Sequence, residues 1–125
     1  MMTQEVIRPP LGILLVEDSP SDVLLIQEAF AQIQMPHNIH RVQDGVEALA
    51  FLHQEGVYAT AARPDIILLD LNLPKKDGRE VLAEIKVDAR LKTIPVVVLS
   101  TSKAEEDILK AYALHANCYI TKPLH

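Results

Sequence analysis

The chain has 125 residues, and its 12 basic and 17 acidic residues give a net charge of −5. This length fits one domain around a single core, and the acidic balance argues against nucleic acid or an anionic membrane as the main partner. A lone cysteine, Cys118, excludes an internal disulfide, and neither a signal-like start nor a membrane-spanning apolar run is present, so we expect a cytoplasmic protein.

The first apolar run, at residues 13–16, predicts a strand that is buried on both faces. A helix follows it, because Ser19 can serve as the N-cap, Pro20 suits the first helical position, and apolar residues recur on one face. The apolar positions of that face are Val23, Ile26, Phe30 and Ile33. A weaker strand is predicted at residues 39–42.

The second helix is predicted from a capping box of Asp44 and Glu47 and from the apolar stripe that accompanies it. The stripe consists of Val46, Leu49 and Leu52. An Ala-rich connection then leads to a buried strand at residues 66–69, and Gly78 precedes a third helix. The apolar positions of the third helix are Val81, Leu82 and Ile85.

The last part of the chain continues the alternation, with a strand at residues 96–99 and another at residues 118–120. Between them, Ser102 and Glu105 offer a capping box for a fourth helix. The apolar positions of that helix are Ile108, Leu109 and Tyr112. Strands that alternate with helices require right-handed crossovers, so we predict an α/β fold: a doubly wound, five-stranded parallel sheet of the flavodoxin-like order 2-1-3-4-5.

Polar side chains follow four of the predicted strands: Glu17 and Asp18 the first, Asp70 the third, Ser100 the fourth and Lys122 the fifth. Ligands of doubly wound sheets bind beyond the carboxyl ends of the strands, where the strand order reverses. The predicted order makes the first and third strands neighbours, so the three carboxylates should face each other. Two carboxylates about 4 Å apart repel by roughly 4 kcal/mol at an effective dielectric near 20, and the group therefore needs counter-charge.

The residue types around Asp70 favour one kind of chemistry. Oxygen ligands without His or Cys beside them suit Mg²⁺. A divalent cation, a lysine and a hydroxyl around a carboxylate are the parts that phosphoryl transfer to an aspartate requires. Asp70 is the natural nucleophile of such a site.

Each of these side chains also has a possible structural role. Acidic residues at strand ends often cap the next helix, but Ser19 and Asp22 already do so after the first strand, and Asp70 lies too far from the third helix. Taken singly, Ser100 would be explained as a turn-forming hydroxyl and Lys122 as a solvated surface residue. Their convergence at one edge of the predicted sheet favours a functional site over these separate structural roles.

Four segments together resemble the receiver domains of bacterial two-component response regulators, across about residues 11–123. They are ILLVEDSPSD, PDIILLDLNLPKKDG, IPVVVLSTS and CYITKP. The resemblance implies a phosphoacceptor signalling protein rather than an enzyme with substrate turnover. It also implies an N-terminal extension at residues 1–10 and a receiver domain at residues 11–125.

The resemblance implies a role for each residue of the acidic cluster. Asp70 is similar to the phosphoacceptor that takes a phosphoryl group from a histidine kinase. Glu17 and Asp18 resemble the acidic pair that holds Mg²⁺, with Asp70 and the backbone carbonyl of Asn72 as the remaining protein ligands.

Three further residues match switch or binding positions of the family. Ser100 occupies the position whose hydroxyl moves onto the phosphoryl group, and Lys122 matches the lysine that pairs with a phosphoryl oxygen. The peptide bond between Lys122 and Pro123 is usually cis in the family. Tyr119 falls at the aromatic switch position, for which the structural alternative is a half-exposed residue on an edge strand.

Two longer segments, DLNLPKKDGREVLAEIK and LHANCYITKP, resemble the small stand-alone regulators of cyanobacterial phytochromes. This narrower resemblance implies a phytochrome histidine kinase upstream, and output by contacts with a downstream or phosphotransfer protein rather than by DNA binding. Receivers normally continue into a fifth helix, whereas this chain ends at His125. We therefore expect an apolar surface beside the fifth strand, which a partner or a second copy in a homodimer would cover.

Three other functions are compatible with parts of the pattern, but each conflicts with the sequence at one point. A flavodoxin-like cofactor binder would need a neutral or basic loop after the first strand, where this chain has the acidic EDSPSD. A magnesium-dependent phosphatase that forms an aspartyl-phosphate would need a second acid and a cap over its substrate. A degenerate receiver that acts only as a binding module would lack part of the set from Glu17 to Lys122, which is complete here.

Overall fold

The computed structural model describes residues 9–101 and 105–122. In this part of the chain, strands and helices alternate as the sequence predicts. The strands are β1 (Leu11–Val16), β2 (His37–Val42), β3 (Ile66–Asp70), β4 (Val96–Ser100) and β5 (Cys118–Thr121). The helices are α1 (Pro20–Ala31), α2 (Gly45–Leu52), α3 (Gly78–Val87) and α4 (Glu105–Ala113), with a short 3-10 turn at Gly56–Tyr58.

Some predictions fall on residues outside the described part. They concern most of the N-terminal extension at residues 1–10, the capping residue Ser102, the peptide bond between Lys122 and Pro123, and the chain beyond it. None of the described helices combines the length and the apolar character that crossing a bilayer would require.

The strands form one parallel sheet in the order β2-β1-β3-β4-β5, which confirms the predicted α/β fold and strand order. Val16 is the register partner of Leu69, Asp70 of Leu99, and Ser100 of Thr121. The strands β1, β3, β4 and β5 therefore end at nearly the same level. The residues that follow these strands lie together at the carboxyl edge of the sheet.

Both faces of the sheet are buried, as the uniformly apolar runs predict. Along β1, Leu14 and Val16 belong to one core cluster, together with buried residues of α2 and α3, while Ile13 and Leu15 belong to a second cluster under α1. On the α1 side an apolar groove of about 660 Å³ runs between the helix and β5, where Ile120 is 41% exposed. An apolar surface beside the fifth strand is thus present, as expected.

The apolar stripes of three helices differ from the prediction. Helix α1 ends at Ala31, so Ile33 lies beyond it and is exposed. In α4, Ala111 is buried and Tyr112 is exposed. In α2, Val46 is exposed, because the buried face of the helix begins at the neighbouring Gly45. The buried residues of α2 are Gly45, Ala48, Phe51 and Leu52.

Two glycines let backbone segments approach closely near the end of β3. A Cβ on Gly45 would clash with the carbonyl of Lys76, in the loop that leads to α3. A Cβ on Gly78 would clash with the carbonyl of Asp70 and with Leu71, and the Gly78 N–H donates to the Leu71 carbonyl at 2.9 Å. The start of α3 is therefore pressed against the end of β3, which holds Asp70 in place.

Candidate functional site

Three carboxylates meet at the carboxyl edge of the sheet. Glu17 and Asp18 follow β1 directly, and Asp70 is the last residue of β3. One ligand oxygen from each lies within 4.8 Å of the others. Glu17 and Asp70 are buried, whereas Asp18 is exposed. The group fits a hard cation such as Mg²⁺, because the ligands are all oxygens and the exposed Asp18 leaves room for the waters that this ion keeps.

Lys122 supplies the positive charge of the cluster. Its Nζ lies 2.5 Å from Glu17 Oε1, 2.8 Å from Asp22 Oδ2 and 3.4 Å from Asp70 Oδ2. Burial acts to lower the pKa of Lys122, but hydrogen bonds to Asp22 and Glu17 and the charges of Asp70 and Glu17 outweigh it, so the pKa is raised. One ammonium thus faces several carboxylates, and the site keeps an excess of negative charge.

The excess of negative charge affects the protonation of Glu17, which is fully buried. Burial, together with the hydrogen bond to Asp70 and its charge, raises the pKa of Glu17 to about 7, against the opposing effect of Lys122. A proton on Glu17 and a cation beside it are alternative ways to relieve the same repulsion.

Without divalent cations, we expect Glu17 to make the free energy of unfolding fall as the pH rises from about 5 to about 8. The folded state binds this proton more tightly than the unfolded state, so the stabilisation is complete below 4.5 and is lost as the pH passes through about 7. The loss is on the order of 2 kcal/mol. Urea unfolding of the wild type and Glu17→Gln, compared across this range, measures it.

The control for this experiment is Glu28→Gln, because Glu28 is an exposed carboxylate of α1. It should keep the pH slope of the wild type, which Glu17→Gln should reduce. Mg²⁺ added at about pH 8 should restore stability, because the cation binds the folded cluster and not the unfolded chain. A slope that is the same in the wild type and Glu17→Gln would contradict the prediction.

Asp70 is held by the loop that follows it. The backbone N–H of Asn72 donates to Asp70 Oδ1 at 3.0 Å, while Oδ2 faces Lys122. Asn72 is itself exposed. The two oxygens of Asp70 are therefore oriented by different partners.

Ser100 and Tyr119 occupy different positions relative to this cluster. Ser100 is the buried last residue of β4, next to the strand that ends in Asp70, and its carbonyl accepts a 2.7 Å hydrogen bond from the Lys122 N–H. Tyr119 is half-buried on the edge strand β5 and packs against the core cluster of α2 and α3. Ser100 thus lies at the same edge as the carboxylates, and Tyr119 lies on β5, three residues before Lys122 in the chain.

Comparison with known proteins identifies the family. Residues 13–125 match the family model described as the response regulator receiver domain. The chain belongs to this family. The receiver domain is 57% identical over 115 residues to response regulator Rcp1 of Synechocystis sp., an alignment that covers 92% of this chain and 78% of Rcp1.

Solved structures give the same result and confirm the narrower resemblance. The crystal structure of the phosphorylated cyanobacterial phytochrome response regulator RcpA is 63% identical with a TM-score of 0.89, covering 94% of this receiver domain and 84% of that chain. The Mn²⁺-bound form of Rcp1 is 55% identical with a TM-score of 0.89, covering 93% of this chain and 84% of that one.

One residue of the receiver domain that contacts the backbone of the cluster was not identified from the sequence. Arg41 of β2 donates from Nε to the Glu17 carbonyl at 2.9 Å and from a terminal nitrogen to the Asp18 carbonyl at 3.2 Å. It therefore holds the backbone that carries the acidic pair. The sequence offered one sign of this role, a positively charged side chain in the predicted strand next to the first strand.

Asp22 was predicted to cap α1 with Ser19, and this is only partly correct. Its backbone N–H donates to Ser19 Oγ at 3.4 Å, so Ser19 is the N-cap as predicted. The carboxylate of Asp22 instead binds Lys122. The signal in the sequence was its place in the first turn of the helix that begins directly after the acidic pair.

Proposed function

We propose that this receiver domain is a stand-alone response regulator whose Asp70 accepts a phosphoryl group from a histidine kinase in a Mg²⁺-dependent reaction. The observation that carries the proposal is the buried Asp70 carboxylate, held among Glu17, Asp18 and Lys122 at the open edge of the sheet. Membership of the receiver family supports it. So do the relatives RcpA, solved in phosphorylated form, and Rcp1, solved with Mn²⁺.

In the proposed reaction, Glu17, Asp18, Asp70 and the Asn72 carbonyl would hold Mg²⁺. When bound, the cation offsets the negative charge on the transferring phosphoryl oxygens. An oxygen of Asp70 forms the new bond to phosphorus while the bond from phosphorus to the kinase histidine nitrogen breaks, and the imidazole leaves. The Asn72 N–H keeps the carboxylate in a fixed orientation during this step.

After transfer, the ammonium of Lys122 pairs with one phosphoryl oxygen and the hydroxyl of Ser100 donates to another. We propose that this pulls the end of β4 towards Asp70 and frees space that Tyr119 then occupies on β5. Tyr119 packs against the core cluster and lies on the edge strand β5. The movement would therefore reach the protein surface near this residue. The domain would assist only its own phosphorylation and dephosphorylation, not the turnover of other substrates.

The proposed partners follow from the relatives and from charge. The similarity to RcpA and Rcp1 supports a phytochrome as the kinase, and we place the reaction in the cytoplasm. Output would pass by protein contacts to a downstream or phosphotransfer protein, or through a homodimer. The net charge of −5 supports protein partners rather than nucleic acid.

The test is phosphotransfer from an autophosphorylated phytochrome histidine kinase that carries a radioactive phosphoryl group. In Mg²⁺, the label should move from the kinase to this protein, and chelation of the cation should stop the transfer. A histidine kinase that is not a phytochrome serves as the specificity control and should transfer at least roughly tenfold more slowly. If the label stayed on the phytochrome kinase in the presence of Mg²⁺, the proposed partner would be wrong.

A further inference from the structure

Lys122 is held more closely by Asp22 than by Asp70. The Nζ of Lys122 lies 2.8 Å from Asp22 Oδ2 and 3.4 Å from Asp70 Oδ2. Asp22 is not a member of the three-carboxylate group and does not follow a strand directly, because it belongs to the first turn of α1. Glu17 Oε1, at 2.5 Å, is the nearest partner of the ammonium, so Glu17 and Asp22 together hold it, and of these two only Asp22 lies outside the three-carboxylate group.

The position of Asp22 is well defined by its surroundings. Ser19 caps the helix and Pro20 occupies its first position, so the first turn of α1 has little freedom. The side chain of Asp22 is 23% exposed, whereas that of Lys122 is 5% exposed. Asp22 is therefore a rigid, charged neighbour at the rim of the site.

We propose that Asp22 is a positioning residue that holds the Lys122 ammonium off Asp70 until a phosphoryl group arrives. The inference rests on the proposed function of Asp70 as phosphoacceptor. A phosphoryl group carries a charge of about −1.5 to −2 and three strong acceptor oxygens, so it attracts the ammonium more strongly than one partly exposed carboxylate. Because the lysine must leave Asp22 to bind it, Asp22 lowers the affinity of the site for a phosphoryl group.

The test compares Asp22→Asn, which deletes the charge but keeps the size and the backbone N–H, with the wild type. In crystals grown without divalent cations, Lys122 Nζ should move from 3.4 Å to about 2.8 Å from Asp70 Oδ2. With Mg²⁺ present, beryllofluoride, which imitates a phosphoryl group, should bind roughly fivefold more tightly to the variant. Asp22→Glu, which restores the charge, should return both values towards the wild type.

The exposed Glu28 of the same helix supplies the control, and Glu28→Gln should leave both measurements unchanged. Unchanged or weaker beryllofluoride binding in Asp22→Asn would overturn the inference, and so would a Lys122 that does not move in the cation-free crystals. If the wild type bound no beryllofluoride and accepted no phosphoryl group, the proposed function would fail. The position of Lys122 in the cation-free variant would still decide whether Asp22 holds the lysine.

Discussion

Asp70→Asn should abolish phosphorylation of the protein by acetyl phosphate and Mg²⁺, whereas the wild type should gain the mass of one phosphoryl group. The amide nitrogen and oxygen cannot replace the carboxylate oxygen as nucleophile, so no acyl phosphate forms. Intact mass spectrometry of both proteins after incubation measures the difference directly. We expect the phosphorylated fraction of the variant to be about a hundredfold or more below that of the wild type.

The loss must be separated from unfolding and from a general effect of charge. Asp70→Asn removes from a crowded cluster one carboxylate, which lies 3.4 Å from the Lys122 ammonium, so the cation-free variant should melt at the same temperature as the wild type or higher. Glu28→Gln, which removes an exposed negative charge from α1, should be phosphorylated like the wild type. Equal mass gains in the wild type and Asp70→Asn would remove Asp70 from its role.

Lys122→Met should lower the free energy of unfolding by about 3 kcal/mol near pH 8 without divalent cations. The variant keeps a long apolar side chain but deletes the ammonium that faces the buried Glu17 and Asp70. Removing one partner of a buried ion pair leaves the other charges uncompensated, and this lowers stability more than replacing the whole pair by apolar residues does. The loss should be smaller near pH 5, where Glu17 can take up a proton. Urea unfolding at the two pH values measures both effects.

The matched control is Lys110→Met on the exposed side of α4, which should change stability by no more than about 0.5 kcal/mol. Mg²⁺ should recover part of the stability of Lys122→Met, since it supplies positive charge to the same carboxylates. A Lys122→Met protein as stable as Lys110→Met near pH 8 would show that the ammonium does not balance the cluster.

The path of the chain was predictable because it depends on local patterns and on one chirality rule. Apolar runs of four residues marked three of the strands, and Ser19 and Asp44 marked helix starts at which a side chain accepts a backbone N–H. Right-handed crossovers then leave few arrangements of a parallel sheet. The meeting of Glu17 and Asp70 follows from neighbouring carboxyl ends rather than from any direct signal in the sequence.

The helix faces were less predictable, because the buried side of a helix depends on what it meets. Val46 fits the stripe by its spacing, yet it is exposed, since α2 presents Gly45 to the Lys76 backbone instead. Tyr112 is exposed for a similar reason, with the small Ala111 buried on its helix. Periodicity gives the existence of an amphipathic helix more reliably than its rotation against the core.

The sequence by itself determined the order of the elements, the parallel sheet and the set of reactive residue types at its carboxyl edge. Only the tertiary structure decided how the charges in that set are shared: Lys122 binds Asp22, one hundred positions away in the chain, more closely than Asp70, and Arg41 holds the backbone of Glu17. The physical reason is range. Periodicity and capping act over a few residues, whereas the distances between charges depend on how separate elements pack together.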